Sequence, residues 1–483
     1  MKKLLFLIGI LSSGLYGASI DHIQTYSPDY LANQAQTGMI DEVSPYYNPA
    51  GLSRLDKGKY VHLGLQLANG HEKMSYKGKE HKAILKQLIP NVSLTSVDDN
   101  GAYFFAFGGL AGGGKLEYDG VSGIDVLSDL DQFKPLGVYD KGSTLTGKNL
   151  YEQATLGRAF TINDQLSVSV AGRIVHGSRN LSGRLNIGTN PSTAYKQAKV
   201  QQVTQEVSKA VDAATQGSGL SAAQIAAIKQ QKTTQALTLL QTKMNALQQN
   251  GLSGDLDSKR EAWGYGFQIG VNYKVNDKLN LAARYDSRIK MNFKAKGSEN
   301  QLQTADIIGS NIGLSTFYPQ YAINSKIRRD LPAILSVGAS YKVTDNYLVS
   351  TSANYYFNRH AKMDRVTTFG GHEHGRDYKN GWEIALGNEY KLNDKFTVIG
   401  SVNYARTGAK NSSFNDTEYA LNSVTLGAGL RYKYDETLSI TGSVAHFIYD
   451  KEDGNFKEKY KVNDNQKYHK EITAFGLSVT KKF

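Results

Sequence analysis

The segment EAWGYGFQIGVNYKVNDKLNLAARYDSRIKMNF, from Glu261 to Phe293, decides the fold. Trp263, Tyr265, Phe267, Ile269, Val271, Tyr273 and Val275 alternate there with Gly264, Gly266, Gln268, Gly270, Asn272 and Lys274. A period of two puts one set on each side of an extended chain, giving a strand with one oily and one polar face. At Asn276 and Asp277 the alternation stops, because these residues tolerate left-handed backbone and bond their own main chain in tight turns. It resumes at Leu279, Leu281 and Ala283. The aromatics crowd the strand ends, as a membrane interface requires and a soluble core does not.

The same turn recurs along the chain. YKVTDNYLV from Tyr341, YKLNDKFTV from Tyr390 and YKYDETLSI from Tyr432 are close copies, and FTINDQLSV from Phe160 and SVDDNGAYF from Ser96 are looser ones. Around these six turns the pattern predicts strands at 60–68, 89–97, 102–115, 151–162, 166–179, 261–275, 279–293, 331–343, 347–358, 381–392, 396–407, 422–434, 438–449 and 471–483. Fourteen is an even number, as in single-chain bacterial barrels, so the expected fold is an all-β, 14-stranded antiparallel transmembrane β-barrel. Six short turns on the periplasmic side and seven longer loops outside place both termini in the periplasm of the cell outer membrane. The last segment, EITAFGLSVTKKF, ends on Phe483, a terminal aromatic resembling the feature that the barrel-assembly machinery reads as a partner.

Composition agrees. The chain has 30 Tyr, 48 Gly, 8 Pro and no Cys. A mean hydropathy of -0.42 excludes a helical membrane protein but not a barrel, which needs apolar residues only at alternate positions. Residues 1–19, with Lys2, Lys3 and an apolar run from Leu4 to Leu11, read as a secretory signal peptide with cleavage among residues 17–19. The net charge of +12 suits an anionic surface or ligand, while the dispersal of Lys and Arg argues against nucleic acid.

Two regions lack the alternation. Residues 20–58 contain SPYYNPAGLSRLDKG and form a compact unit ahead of the barrel, 59–483. The stretch 191–251 reads as a helical hairpin: Val200, Val203, Val207 and Val211 line one face, and Leu237, Leu240, Met244 and Leu247 line another. Ser221 and Gln224 fit a capping box, and Gly251 is a stop. The two stripes pack together, and with Ile307, Leu314 and Phe317 of the 300–331 loop they offer an outer apolar groove.

Together these parts resemble the FadL family of outer-membrane transporters for long-chain fatty acids and other hydrophobic compounds. Asn48-Pro49-Ala50 stands where that family has its NPA motif, at the end of an N-terminal hatch that plugs the barrel. The resemblance implies passive uptake by a monomer, with a hydrophobic ligand bound inside. Release would follow hatch movement and lateral opening into the lipid at a kinked third strand, here AYFFAFGGLAGGGKLEY with Gly108 and Gly109. Parity turns Arg173 and Arg284 into the lumen, as partners for a ligand carboxylate or as members of an ion-pair network with Asp286, Glu383 and Glu389. A general porin is the alternative, or a barrel whose 191–251 loop is an adhesin or receptor.

No enzyme, cofactor or metal is expected. Gly109 to Lys115 fits G-x-x-x-x-G-K, but Leu116 replaces the required hydroxyl residue and no helix follows. His360, His372 and His374 share a loop without a third ligand at defined spacing. No short motif pairs Ser, His and an acid, so a lipid hydrolase finds no support.

Overall fold

The computed structural model describes residues 24–297, 300–313, 315, 322–364, 366–367, 373–374, 378–414 and 419–483. The expected signal peptide lies outside the described residues. The barrel strands are β1 (Gly58–Tyr76), β2 (Lys79–Asp98), β3 (Gly101–Tyr118), β4 (Thr144–Thr161), β5 (Leu166–Thr189), β6 (Leu252–Lys274) and β7 (Leu279–Asp286). They continue as β8 (Ile334–Thr344), β9 (Tyr347–Tyr356), β10 (Gly381–Lys391), β11 (Phe396–Arg406), β12 (Ser423–Lys433), β13 (Leu438–Tyr449) and β14 (Lys467–Lys482). Each pairs antiparallel with the next, and β1 pairs with β14 from Tyr60 opposite Lys482 to Ser75 opposite Lys467, so the sheet closes. Closure leaves no sheet edge in the lipid. No described helix is long and apolar enough to cross a membrane.

The faces follow the parity. Trp263 and Tyr265 of β6 are 61% and 69% exposed on the outside, whereas Gln268 and Asn272 are buried inside. The six Asn/Asp-rich turns lie between β2 and β3, β4 and β5, β6 and β7, β8 and β9, β10 and β11, and β12 and β13. In the turn after β6, the side chain of Asn276 accepts from the main-chain N–H groups of Lys278 and Leu279 at 2.9 and 2.8 Å.

The strand expected at 279–293 stops at Asp286 and resumes as a short strand at Asn292–Lys296, and the β1–β2 connection also differs from expectation. Residues 69–88 are not a long loop; they extend β1 and β2 to a two-residue turn at Lys77 and Gly78, both with positive φ, which matches strand twist. Beyond the bilayer the rule of faces reverses: Met74, Tyr76, Ala83 and Leu85 point inward and are buried, while Glu80, Lys82 and Lys86 face outward. Beneath them pack Val126, Leu127 and Phe133 from the β3–β4 connection. An apolar pattern sought on the outer face misses such strands.

The 191–251 insertion forms α1 (Thr193–Thr215) and α2 (Ala222–Asn250), packed against each other. Ser221 and Gln224 make the expected capping box, and Gly251 ends α2 with φ +64. Within the stripes only Val211 and Leu247 are fully buried, and Val200 stays exposed. A two-helix hairpin on an outer loop has too little surface to enclose both stripes.

Candidate functional site

Residues 24–55 lie inside the barrel, and the inner wall is shaped for them. Where the segment passes closest, many of the inward positions are glycine, serine or asparagine. A Cβ on Gly338 would meet the backbone nitrogen of Gly38 at 2.6 Å, and one on Gly427 would meet the carbonyl of Leu31 at 2.4 Å; on the segment's side, a Cβ on Gly38 would meet the backbone of Ala339 at 2.3 Å. Serines supply donors to the segment's carbonyls: Ser401 to Ala32 at 2.7 Å, Ser443 to Pro28 at 2.8 Å, Ser340 to Gly38 at 2.8 Å and Ser167 to Ala50 at 2.7 Å. An irregular segment buried in a barrel has main-chain groups that no ladder satisfies, and wall side chains take that role.

Asn48 fixes the segment's turn. Its Nδ2 donates to the carbonyl of Met39 at 2.9 Å and to Oδ1 of Asn272 at 2.8 Å, and its Oδ1 accepts from the N–H of Gly51 at 3.2 Å. Pro49 then opens a short 3₁₀ helix, Pro49–Arg54, at the first-turn position where its missing N–H costs nothing. Ala50 is fully buried beside Gly270, a spacing that a larger residue would not fit. Just before this turn, Tyr26, Tyr30, Tyr46 and Tyr47 form an aromatic cluster with centroids 5.8 to 6.0 Å apart.

Tyr46 reaches the weakest part of the wall. The β2–β3 ladder runs from Asp98 opposite Gly101 to Asn91 opposite Gly108, then stops until Leu85 meets Leu116. In the gap, Gly109 to Lys115 stand opposite Lys86 to Pro90. Pro90 has no N–H to give, and the glycines weaken β3 further. Register also shifts between β3 and β4 at Gly109, Ala111 and Gly114. Gly108 and Gly109 thus lie at the lower edge of the gap. The hydroxyl of Tyr46 sits there, 2.7 Å from the carbonyl of Val92 and 3.0 Å from that of Phe107, and accepts from Nδ2 of Asn91 at 3.2 Å.

The structure brings Arg173 and Arg284 together around Asp286. Nη1 of Arg173 is 3.7 Å from one carboxylate oxygen, and Nε of Arg284 is 3.2 Å from the other. Arg173 also donates to Oε1 of Gln153 at 2.6 and 3.0 Å, while Arg284 donates to the carbonyl of Tyr46, to Oε1 of Gln24 at 2.7 Å and to Ser336 at 3.2 Å. Two guanidiniums share one carboxylate in a buried site, a net positive centre next to Tyr46. Glu389 is separate and pairs with Arg431 at 2.9 Å. Glu383 accepts from Asn354 and Tyr356, both at 2.7 Å, and from Asn403 at 3.2 Å.

Above the segment, Glu383 joins Tyr356, Trp382, Leu421 and Ser423 around a cavity of about 80 Å³. Below it, a recess of about 1100 Å³ opens toward the periplasmic turns. Of the outer-groove residues, Ile307 is half-buried against the loop core, and Leu314 and Phe317 lie outside the described residues. His372 is likewise outside, and among the described residues no group of His, Cys, Asp and Glu could hold a metal. Sequence reading did not single out Tyr46. Its signature was available as a Tyr pair directly ahead of Asn48, in a segment that parity showed to be no strand.

A closed fourteen-stranded barrel with an oily exterior and an N-terminal segment through its lumen is an outer-membrane transport-protein barrel. The chain belongs to the outer membrane protein transport protein (OMPP1/FadL/TodX) family, whose model matches residues 140–483. Its outward girdle and its outer-membrane relatives make it an outer-membrane protein, and the family is one of transport proteins rather than enzymes. It is 27% identical over 195 residues to the 47 kDa outer membrane protein of Pasteurella multocida, covering 38% of this chain and 44% of that one. To the long-chain fatty acid transport protein of Escherichia coli O157:H7 it is 23% identical over 278 residues, 55% of this chain and 58% of the other. The chain spans about half the length of the sequence relatives it matches. In structure it resembles a Pseudomonas aeruginosa FadL homologue, with a TM-score of 0.64 at 15% identity over 97% of this chain and 100% of that one. The P. putida toluene transporter TodX gives 0.62 at 15% identity over 95% and 99%.

Proposed function

We propose that this protein is a passive channel for small hydrophobic compounds, long-chain fatty acids among them. The ligand enters from the outer loops, binds inside the barrel and leaves sideways through the β2–β3 gap when residues 20–58, acting as a hatch, shift. One observation carries this reading: the hydroxyl of Tyr46, beside Asn48-Pro49-Ala50, bridges the two strands at the edge of their broken ladder. A hatch that moves therefore pulls on the gap. The family's transport role and the names of the fatty acid and toluene transporters support the ligand class.

Arg284 links ligand to hatch. Its guanidinium holds the Tyr46 carbonyl, and a ligand carboxylate is a stronger acceptor than a neutral carbonyl. A fatty acid reaching the Arg173–Arg284 centre competes for that donor and frees Tyr46. A neutral hydrocarbon lacks this lever and must displace the tyrosine cluster by packing alone. The segment filling the lumen speaks against an open general porin.

The test is uptake of labelled oleate and labelled toluene by vesicles holding the purified full-length protein or a form lacking residues 20–58. Saturable uptake that changes on deletion is the expected result. Substrate-independent leakage of small ions through the full-length protein, or no uptake by either form, would overturn the reading.

A further inference from the structure

A transverse row of lysines crosses the outer face of the barrel where the membrane ends. Lys115 of β3 stands opposite Lys148 of β4, Lys148 opposite Asn180 of β5, Asn180 opposite Lys259 of β6, and Lys259 opposite Lys296, in the short strand Asn292–Lys296 that continues β7. Like charges placed directly opposite across a ladder repel, and here it happens twice, at Lys115–Lys148 and at Lys259–Lys296. The side chains of Lys115, Lys259 and Lys296 are 55%, 58% and 56% exposed. Each leans on an exposed carboxylate, of Glu117, Asp257 and Glu261 respectively, and such surface pairs are weak.

The height of this row follows from β6. Trp263 and Tyr273 are exposed aromatics near the ends of its oily face, about 10 residues apart, which at about 3.3 Å per residue and a tilt near 40° spans about 25 Å. That is the height of a barrel's apolar band. Counted along the strands from their periplasmic ends, Trp263 stands about 11 residues up and Lys115, Lys148 and Lys259 about 13 to 15. The lysines therefore lie about 5 to 10 Å above the outer aromatic girdle, in the headgroup layer of the outer leaflet.

We infer that this row is a docking site for the phosphate groups of an outer-leaflet glycolipid. Phosphate offers several strong acceptors to ammonium groups, and an anion between opposed lysines removes their repulsion. Asn180, between the two lysine pairs, adds a neutral donor for a sugar or phosphate oxygen. The oily residues below, Trp263 and Tyr265, would lie along the acyl chains of the same lipid. This inference does not depend on what the barrel transports.

The test uses the full-length protein folded in detergent, mixed with diphosphorylated lipid A, with the same lipid after phosphatase treatment, or with inorganic phosphate, and read by native mass spectrometry. Three proteins are compared: the unaltered chain, one with Lys115→Gln, Lys148→Gln, Lys259→Gln and Lys296→Gln, and a control with Lys274→Gln, Lys342→Gln, Lys391→Gln and Lys433→Gln near the periplasmic turns. Barrel integrity is checked by heat-modified gel migration. The expected result is retention of diphosphorylated lipid A by the unaltered and control proteins and at least about tenfold less by the outer-row variant. Equal retention by the outer-row variant, equal retention of the dephosphorylated lipid, or displacement by millimolar phosphate would each overturn it.

Discussion

The hydroxyl of Tyr46 lies 3.0 Å from the carbonyl oxygen of Phe107, on the inner side of the wall at the last rungs before β2 and β3 part. A single phenolic hydrogen serves both this carbonyl and that of Val92, so the contact joins the two strands through a residue belonging to neither. Tyr46→Phe keeps the ring and its stack on Tyr26 and removes this tie together with the acceptor for Nδ2 of Asn91. The expected outcome is faster amide hydrogen exchange at 89–94 and 104–109, a change in ligand uptake, and a loss of about 1–3 kcal/mol from the unpaired polar groups. Exchange confined to the hatch, with these strands unaffected, would show that Tyr46 is not the link.

Asp286 is the sole counter-charge drawn to both Arg173 and Arg284 among the described residues, and all three side chains are at most 3% exposed. Asp286→Asn leaves two buried guanidiniums without it. Breaking a buried pair costs about 3–5 kcal/mol, so the variant should unfold at a markedly lower temperature in a heat-modification series. Loss below about 1 kcal/mol would mean that water already reaches the cluster.

Glycines of β3 are not equivalent. Gly112 has φ +115, and a Cβ there would meet the carbonyl oxygen of Asn149 at 2.1 Å, so Gly112→Ala forces backbone to move and should destabilise by about 1–3 kcal/mol. At Gly109 the first obstacle is Cγ2 of Ile89 at 2.9 Å, a side-chain atom that a change of χ1 moves without shifting the main chain. Gly109→Ala should fold normally, and under the lateral-exit reading it slows uptake by filling the gap. Thermal stability and uptake measured together separate the two positions.

Docking of the N-terminal segment should depend on pH through Asp41. Burial, reinforced by the neighbouring charge of Glu42, pushes its carboxyl up to about 7, above its ordinary value of 3.8. The docked state then holds a proton that the released state gives up, so docking is strongest at low pH and weakens as pH rises toward and through 7. Hydrogen exchange of residues 24–56 at pH 5 and pH 8 should show greater protection at pH 5, and Asp41→Asn should flatten the difference. Greater protection at pH 8 would contradict this.

The architecture could be read because a barrel repeats one local rule. In lipid every strand must turn an oily side outward, and an Asn/Asp cluster such as Asn276-Asp277 or Asn393-Asp394 ends a strand by its own hydrogen bonds, so the segment from Glu261 contains the grammar of the barrel strands. The rule stopped where the bilayer stops. Met74 and Leu85 face inward against a loop core, so the long β1–β2 hairpin did not match the pattern. Parity also turned Arg173 and Arg284 into the lumen, because side-chain direction in a strand is local.

What each inward residue meets was not local. That Arg173 and Arg284 share Asp286, that Gly38 passes Ala339, and that Tyr46 reaches Phe107 are contacts between positions far apart in sequence, fixed by ladder registers and by the course of residues 24–57. The sequence by itself determined which residues face lipid and which face the lumen, since alternation is a property of neighbours. Only the tertiary structure decided which inward residues become partners, since closing the barrel brings them together.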